Sequence, residues 1–310
     1  MKKILLILAG YSICQPAFCA NTTGCNSYQL PESYLNQKNP GYLELNNYLH
    51  HHEALPAHLR YIPQYRIIAS SQFNESQFVN VIAGKGNIID IDLRGEFHGF
   101  NQGQPFSYIA LPNNSMNNNK NYSQIVAQEQ QILNTLPQYQ QLAFYEKNLK
   151  AIPESITRQI CMSTAISSEA QLISKYHQTY FRIPITDHLA PNPDEIQQLV
   201  AIYNNLLKNN PQQWVYLHCL GGDGRTTTAI LMLTILKQQT GGTLQPLPEL
   251  ITMVEQQSNY QLIPNCLESD LTYRCQGKWQ RYHTIEKFYN WVKSQQNTTF
   301  SNYISKNNYH

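Results

Sequence analysis

Short apolar runs, rich in β-branched side chains and ending on charge or glycine, mark the strands of this chain. "NIIDIDLR" (residues 87–94) predicts a buried strand whose working end lies at Asp92–Arg94. "YFRIPITDH" predicts a second strand that enters a loop, and "QWVYLHC" a third buried strand. Between these two, "NPDEIQQLVAIYNNLLKNN" has helical spacing, with Asn192 as cap and Pro193 in the first turn. "TTTAILMLTILKQQ" is apolar nearly all round, which predicts a core helix stopped by Gly241 and Gly242. Strand, helix, strand, glycine-rich turn and helix, in that order, predict an α/β domain with parallel strands.

The remaining stretches are less regular. Gln124 to about Leu149 has the spacing of one or two amphipathic helices, broken near Pro137. Residues 21–64 are polar and loop-rich, with prolines at 31, 40, 56 and 63. Their His50–His52 triplet predicts a solvated face, since three adjacent side chains cannot all point one way. "NNSMNNNKNYSQ" predicts a low-complexity polar loop. No internal repeat is visible.

The first twenty residues change the picture of address. Lys2 and Lys3 precede an apolar run from Ile4 to Ala9, and the stretch closes on Cys19 and Ala20. That layout predicts a secretory signal peptide cleaved after Ala20, too short for a comfortable membrane span. Cleavage removes two lysines and no acid, so the formal charge falls from +2 to 2 − 2 = 0. A neutral mature chain gives no support for nucleic-acid binding or a strong membrane-surface field. No second uncharged apolar run reaches spanning length, so an exported protein without a membrane span is expected. Its destination after export, whether periplasm, medium or a host cell, stays open. Five cysteines remain, and an odd number in an exported chain predicts one free thiol. Cys219 is the natural free one; Cys266 and Cys275 could bridge a short loop, and Cys25 and Cys161 pair by elimination.

Chemistry concentrates in "WVYLHCLGGDGRTTTAILMLTILK" (residues 214–237). A glycine-rich turn between a strand and a helix N-terminus aims several backbone N–H groups into one small space, an anion cradle. Leu220, Gly221, Gly222, Asp223 and Gly224 would form it. Cys219 stands at its lip, where those dipoles and Arg225 favour a thiolate. Arg225 adds a planar fork matched to two phosphate oxygens, and Thr226 can donate a hydrogen bond to the sulfur. A zinc site would want a second ligand pair beside His218. A Walker loop would want lysine where Arg225 stands. The combination predicts phosphoryl transfer through a cysteinyl-phosphate, without metal or cofactor. Such a reaction needs an acid for the leaving oxygen, and "ITDHLAPNPDEI" offers Asp187, 32 residues before Cys219. Strand ends on one rim of a parallel sheet would let the two converge.

"HCLGGDGRT" fits the Cys-x5-Arg-Thr pattern of cysteine-dependent phosphatases. "TDHLAPNPDEI" resembles the acid loop of one branch, the protein-tyrosine-phosphatase-like inositol polyphosphatases, or cysteine phytases. "YRIIASSQFNESQF" (65–78), "DIDLRGEFHGF" (90–100) and "WQRYHTIEKFYNWVKS" (279–294) are similar to further segments of that branch, in its order. The resemblance implies a protein-tyrosine-phosphatase-like α/β fold: a mostly parallel central sheet flanked by helices, with a smaller N-terminal or inserted subdomain. It implies a phosphatase domain at 65–298, after a signal peptide at 1–20 and an extension at 21–64, and before a tail at 299–310. It also implies that His188 contacts substrate or holds the acid loop, that Arg66, Asp92 and Arg94 shape the pocket wall, and that Lys278 or Arg281 supplies positive charge. The expected partner is a small-molecule phosphate ester, an inositol polyphosphate. Asp223 departs from a neutral or basic cradle, which keeps two alternatives in view: a phosphotyrosine or phosphoinositide phosphatase, and a non-catalytic phosphate-binding effector.

Overall fold

The computed structural model describes residues 42–46, 53–109, 117, 120–148, 155–258, 260–295 and 297–307. The chain runs β1 (Tyr42–Leu45), β2 (Arg60–Ile62), β3 (Ile67–Ser70), α1 (Glu75–Ile82) and β4 (Ile88–Asp92). Then come β5 (His98–Asn101), β6 (Gln104–Ile109), α2 (Tyr122–Thr135), β7 (Gln141–Asn148), β8 (Ser155–Ser163) and β9 (Ile166–Ser167). α3 (Glu169–Lys175) leads to β10 (Thr179–Arg182), α4 (Pro193–Ile202), β11 (Trp214–His218) and α5 (Gly224–Thr240). Helices α6 (Leu247–Gln256), α7 (Tyr273–Ser294) and α8 (Phe300–Lys306) complete the described chain.

The central sheet has the order β10-β4-β11-β3-β2, parallel except for its edge strand β2. Period-two alternation decides what each face buries. Ile67, Ala69, Ile89, Ile91, Val215 and Leu217 pack with α4, α5, α6 and α7. Ile68, Ile88 and Tyr216 point the other way, onto Phe73, Phe78, Phe100 and α3. Burial on both faces explains the nearly continuous apolar runs of the sequence. Helix α4 begins as expected: Asn192 accepts from the N–H groups of Asp194 and Glu195, and Pro193 opens the first turn. Helix α5 is buried on every side.

A second sheet, β8-β7-β1-β6-β5-β9, is built from residues between β4 and β10 plus β1. It closes over α2 through Leu45, Phe106, Ile132, Leu136 and Phe144. The structure corrects three expectations. Helical spacing was expected to continue to about Leu149, but α2 ends in a short 3₁₀ turn at Leu136–Gln138, and residues 141–148 form β7. The strand wins because β8 offers a full antiparallel partner, Gln141↔Ser163 through Asn148↔Ser155, and Leu142 and Phe144 fall on one buried row. The extension at 21–64 supplies β1 and β2 to the two sheets, and the expected tail at 299–310 supplies α8, whose Phe300 is fully buried. The signal-peptide stretch, Cys25 and His50–His52 lie outside the described residues, as does half of the Asn-rich stretch, whose end is not loop: Asn121 caps α2 and Tyr122–Gln124 form its first turn. No helix among the described residues is long and apolar enough to cross a membrane.

Candidate active site

Strand β11 ends at His218, and the chain turns through residues 219–223 into α5. The turn needs glycine at one position above all. Gly222 has φ 78°, and a Cβ there would lie 2.5 Å from the Ser71 nitrogen, against backbone that cannot yield. The Gly222 N–H points at Cys219 Sγ, 3.3 Å away. Cys219 is the free cysteine among the described residues, and its side chain is nearly sealed. Thr226 does not fill its expected role on the sulfur. It is fully buried and its hydroxyl makes no hydrogen bond among the described residues. The backbone of the cradle does that work.

Arg225 is held from behind by Glu96. Its Nη1 donates to Glu96 Oε2 at 2.5 Å and its Nη2 to Oε1 at 3.1 Å, with a further bond from Nη1 to the Ile185 carbonyl at 3.2 Å. The fork is fixed before any ligand arrives. Burial alone would raise the Glu96 carboxyl; Arg225 and Arg94 overcome it and hold it well below the ordinary range. Asp187 Oδ1 lies 3.0 Å from Arg225 Nη2. Cys219, Arg225 and Asp187 line one cavity of about 620 Å³. Their strands are not neighbours, since β4 lies between β10 and β11, but all three strand ends share the C-terminal rim.

His188 lines the cavity beside Asp187, with its backbone in the left-handed region at φ 66°. Burial lowers its pKa, with Asp187 opposing. Arg281 reaches the acid loop from α7, donating to the His188 carbonyl and, at 2.5 Å, to the Tyr260 hydroxyl. Lys278 also lines the cavity and donates to Asn265 Oδ1 at 2.6 Å. The α7 backbone comes so close here that Gly277 leaves no room for a side chain against the His188 carbonyl.

Three expected wall residues stand elsewhere. Arg66 precedes β3, at the opposite rim, stacked 5.1 Å from the Trp214 ring and bonded to Gln212. Asp92 and Arg94 lie on the face of β4 and its continuation that turns from the cavity, and both are fully buried. Arg94 spends its donors on Glu96 (2.9 Å), Gln72 (2.8 Å) and Ser107 (2.5 Å), so it braces the acid that braces Arg225. Asp92 faces His98 at 3.1 Å, Arg182 at 3.4 Å and the Tyr180 hydroxyl at 3.0 Å.

Sequence reasoning passed over Glu96, although "LRGEFHG" contains it, and it passed over His58 and Arg60. Arg60 donates to the Gly222 carbonyl at 2.5 Å and to Thr227 Oγ1 at 3.2 Å. His58 meets the Gly221 carbonyl and the Asp223 carboxylate. Both come from the proline-bearing stretch before β3, where no periodicity points to the cradle. Tyr260 and Arg274 also line the cavity without having been singled out.

Behind the cradle lies a sealed cluster. His218 Nε2 is 2.7 Å from Glu169 and 3.5 Å from Asp90; His98 Nε2 is 3.1 Å from both Asp92 and Glu169. Arg182 pairs with Glu129 at 2.5 Å. Burial raises Asp90 to about 7. His98 is raised to about 9, because Asp92 and Glu129 outweigh a burial that opposes the charge. Four carboxyls (Asp90, Asp92, Glu129, Glu169) face three cations (Arg182, His98, His218), so a proton on Asp90 balances the set. The two triads within it, Asp90/Glu169/His218 and Asp92/His98/Glu169, have cation-site spacing, yet their charge closes on protons and Arg182.

The disulfide Cys266–Cys275 ties the loop at the cavity rim to the first turn of α7. Cys161 is disulfide-bonded, and its expected partner Cys25 lies outside the described residues.

A cysteine on a backbone cradle, an arginine fixed behind it and an aspartate across the same cavity bring a nucleophile, an anion clamp and an acid within reach of one ligand. The model of the PTP-like phytase family, described as inositol hexakisphosphate, matches residues 91–237, which hold Glu96, Asp187, Cys219 and Arg225. That match spans the central part of the chain, and members of the matched family are phosphatases acting on phosphate monoesters. Its fold is that of a PTP-like myo-inositol phosphatase from Mitsuokella multacida, solved with myo-inositol-(1,3,4,5)-tetrakisphosphate (TM-score 0.75, 22% identity, 88% of this chain and 49% of that one). It is equally that of a PTP-like phytase from Bdellovibrio bacteriovorus (TM-score 0.69, 22% identity, 86% and 95%). An effector protein, hopD2, of Pseudomonas syringae pv. tomato is 29% identical over 171 residues, 54% of this chain. The chain spans 35% of that relative's length and 49% of the Mitsuokella chain.

Proposed function

We propose that the protein hydrolyses phosphate monoesters of inositol polyphosphates through a cysteinyl-phosphate. The observation that carries this reading is the convergence of Cys219, the fork of Arg225 and Asp187 on one cavity roomy enough for more than a single phosphate. In the first step the Cys219 sulfur attacks phosphorus, the P–O ester bond breaks, and Asp187 passes its proton to the leaving ring oxygen. In the second, Asp187 takes a proton from water as that water attacks phosphorus, and the sulfur leaves. Cradle N–H groups and Arg225 meet the charge on the equatorial oxygens throughout. An incoming phosphate competes with Asp187 for Arg225 Nη2, which turns the carboxyl toward the leaving oxygen. The inositol phosphate bound to the Mitsuokella relative supports this substrate class.

Export after Ala20 belongs to the same proposal. The signal-like leader and the disulfide Cys266–Cys275 suit an oxidising compartment. The likeness to an effector protein fits onward delivery to a host cell. Amino-terminal sequencing of the exported protein should begin at Asn21.

Cys219→Ser is the test of the chemistry. Turnover of an aryl phosphate and of inositol hexakisphosphate should fall about 10⁴-fold or more, while phosphate binding persists, because the cradle and Arg225 remain. A serine variant with a tenth of the parent activity would end the covalent reading.

A further inference from the structure

The cradle has one feature that phosphate binding does not explain: an acid in the loop itself. Asp223 sits at the entrance to α5, yet its side chain makes no capping bond there. Its carboxylate instead lies 3.0 Å from His58 Nδ1. The same nitrogen lies 2.8 Å from the Gly221 carbonyl. Both neighbours are acceptors only, so Nδ1 carries the hydrogen and donates to both. His58 holds this position with its backbone in the left-handed region, at φ 54°. Histidine and aspartate both line the catalytic cavity, and each is about half exposed there.

We propose that His58 sets the preference of this site for substrates carrying more than one phosphate, by offsetting the charge of Asp223 at the lip of the cradle. This rests on the phosphatase reading above and names what makes that site selective. A monophosphate places its one dianion deep among the cradle amides. A polyphosphorylated ring brings further dianions to the lip, where an unmatched carboxylate repels them. A protonated His58 makes the pair neutral. The groups facing His58 are Asp223 and the Gly221 carbonyl from the loop, and Arg60 from β2. The hydrogen bond to Asp223 raises the imidazole pKa, with burial and Arg60 opposing. The selectivity is therefore present at mildly acidic pH and fades as His58 loses its proton. Bracing of the loop does not account for the pair, since Arg60 already holds Gly222 and Thr227.

The experiment is calorimetric binding to the full chain carrying Cys219→Ser, with inositol hexakisphosphate and with inorganic phosphate as probes, at about pH 5.5 and pH 8. Added His58→Gln should weaken hexakisphosphate binding about five- to tenfold at the lower pH and phosphate binding less than about twofold, as one charge in a half-solvated cavity implies. The parent-to-variant ratio should shrink at the higher pH, which also cancels titration of the ligands themselves. Asp223→Asn added to His58→Gln should restore hexakisphosphate affinity. Equal losses for both probes, no restoration by Asp223→Asn, or no hexakisphosphate binding by the parent would each overturn the proposal. Aryl phosphate turnover by the chain with Cys219 intact tests the phosphatase reading separately, because the binding ratios need no catalysis.

Discussion

The C-terminal rim of the parallel sheet has an open side and a sealed side, made from the same residue types. On the open side Asp187, His188, His58 and Arg225 border a cavity. On the sealed side Asp90, Asp92, His98, Glu169, Arg182 and His218 are buried against one another and against Glu129 and Tyr180. Strand parity divides them. Cys219 follows directly on His218, yet the sulfur faces the cavity and the imidazole faces α3. Charge on the open side is incompletely paired and available to a ligand. On the sealed side it is closed by ion pairs and protons, where leaving one member out would strand a buried charge. Identity of residue therefore says little about role; the side it faces says most of it.

Changes on the open side should alter rates and spare stability, and changes on the sealed side the reverse. The largest effect tests the first half. Asp187→Asn should lower kcat by about 10²–10⁴-fold, the usual contribution of a positioned acid. The loss should be greatest for an inositol ester, whose alkoxide cannot depart without a proton, and least for a nitrophenyl ester, whose anion leaves readily. Thermal midpoints of variant and parent should agree closely. Equal losses on both substrates would mean that Asp187 only holds its loop.

Glu96 joins the two sides, since it pairs with Arg225 in front and Arg94 behind. Glu96→Gln leaves two buried guanidinium groups facing one amide. The folded state should lose about 3–5 kcal/mol, as expected for breaking a buried pair by removing one partner, and denaturant midpoints would show it. Activity should fall too, because the fork of Arg225 loses its support. A loss of activity with an unmoved midpoint would place Glu96 with the open side and blur the division.

The sequence announced the open side because its central piece is local. Cys219, the cradle and Arg225 lie within seven consecutive positions between a strand and a helix, and Asp187 stands at the end of another strand run. The sealed side was read wrongly from the same data. Asp92 and Arg94 end an apolar run, and a strand's last charged residues look alike from either face. Which face is covered depends on the inserted sheet, whose Ser107 receives Arg94, and on Glu129 of α2, which receives Arg182. Those partners lie 13 and 53 residues away, on another strand and on a helix, and periodicity within one element says nothing of them. His58 and Arg60 escaped for the opposite reason: they act from an irregular stretch whose packing onto the cradle is wholly tertiary.

The smallest predicted effect is the pH response of the sealed cluster. His98 is raised from 6.5 to about 9 by its buried partners, and Asp90 from 3.8 to about 7 by burial. Both folded-state values lie above the unfolded ones. Each group's contribution is thus fully present below its unfolded value and is lost as pH climbs through the folded one. For Asp90 the loss runs from about pH 4 to 7, and for His98 from about 6.5 to 9. Glu169 runs the other way. Burial opposes its charge, but His218 holds it down to about 2, so its contribution disappears only in strong acid. Stability should consequently peak on the mildly acidic side and decline by about 3 kcal/mol between pH 6.5 and 9. Asp90→Asn removes one titrating carboxyl while keeping its shape, so its curve should flatten between pH 4 and 7 and still fall toward pH 9. The open side should not follow, because Cys219→Ser and His58→Gln leave the cluster untouched and should retain the parent's decline. A thermal midpoint that stays level from pH 6.5 to 9 would show that His98 is not held charged, and the sealed side would then be a hydrogen-bonded core without a charge balance of its own.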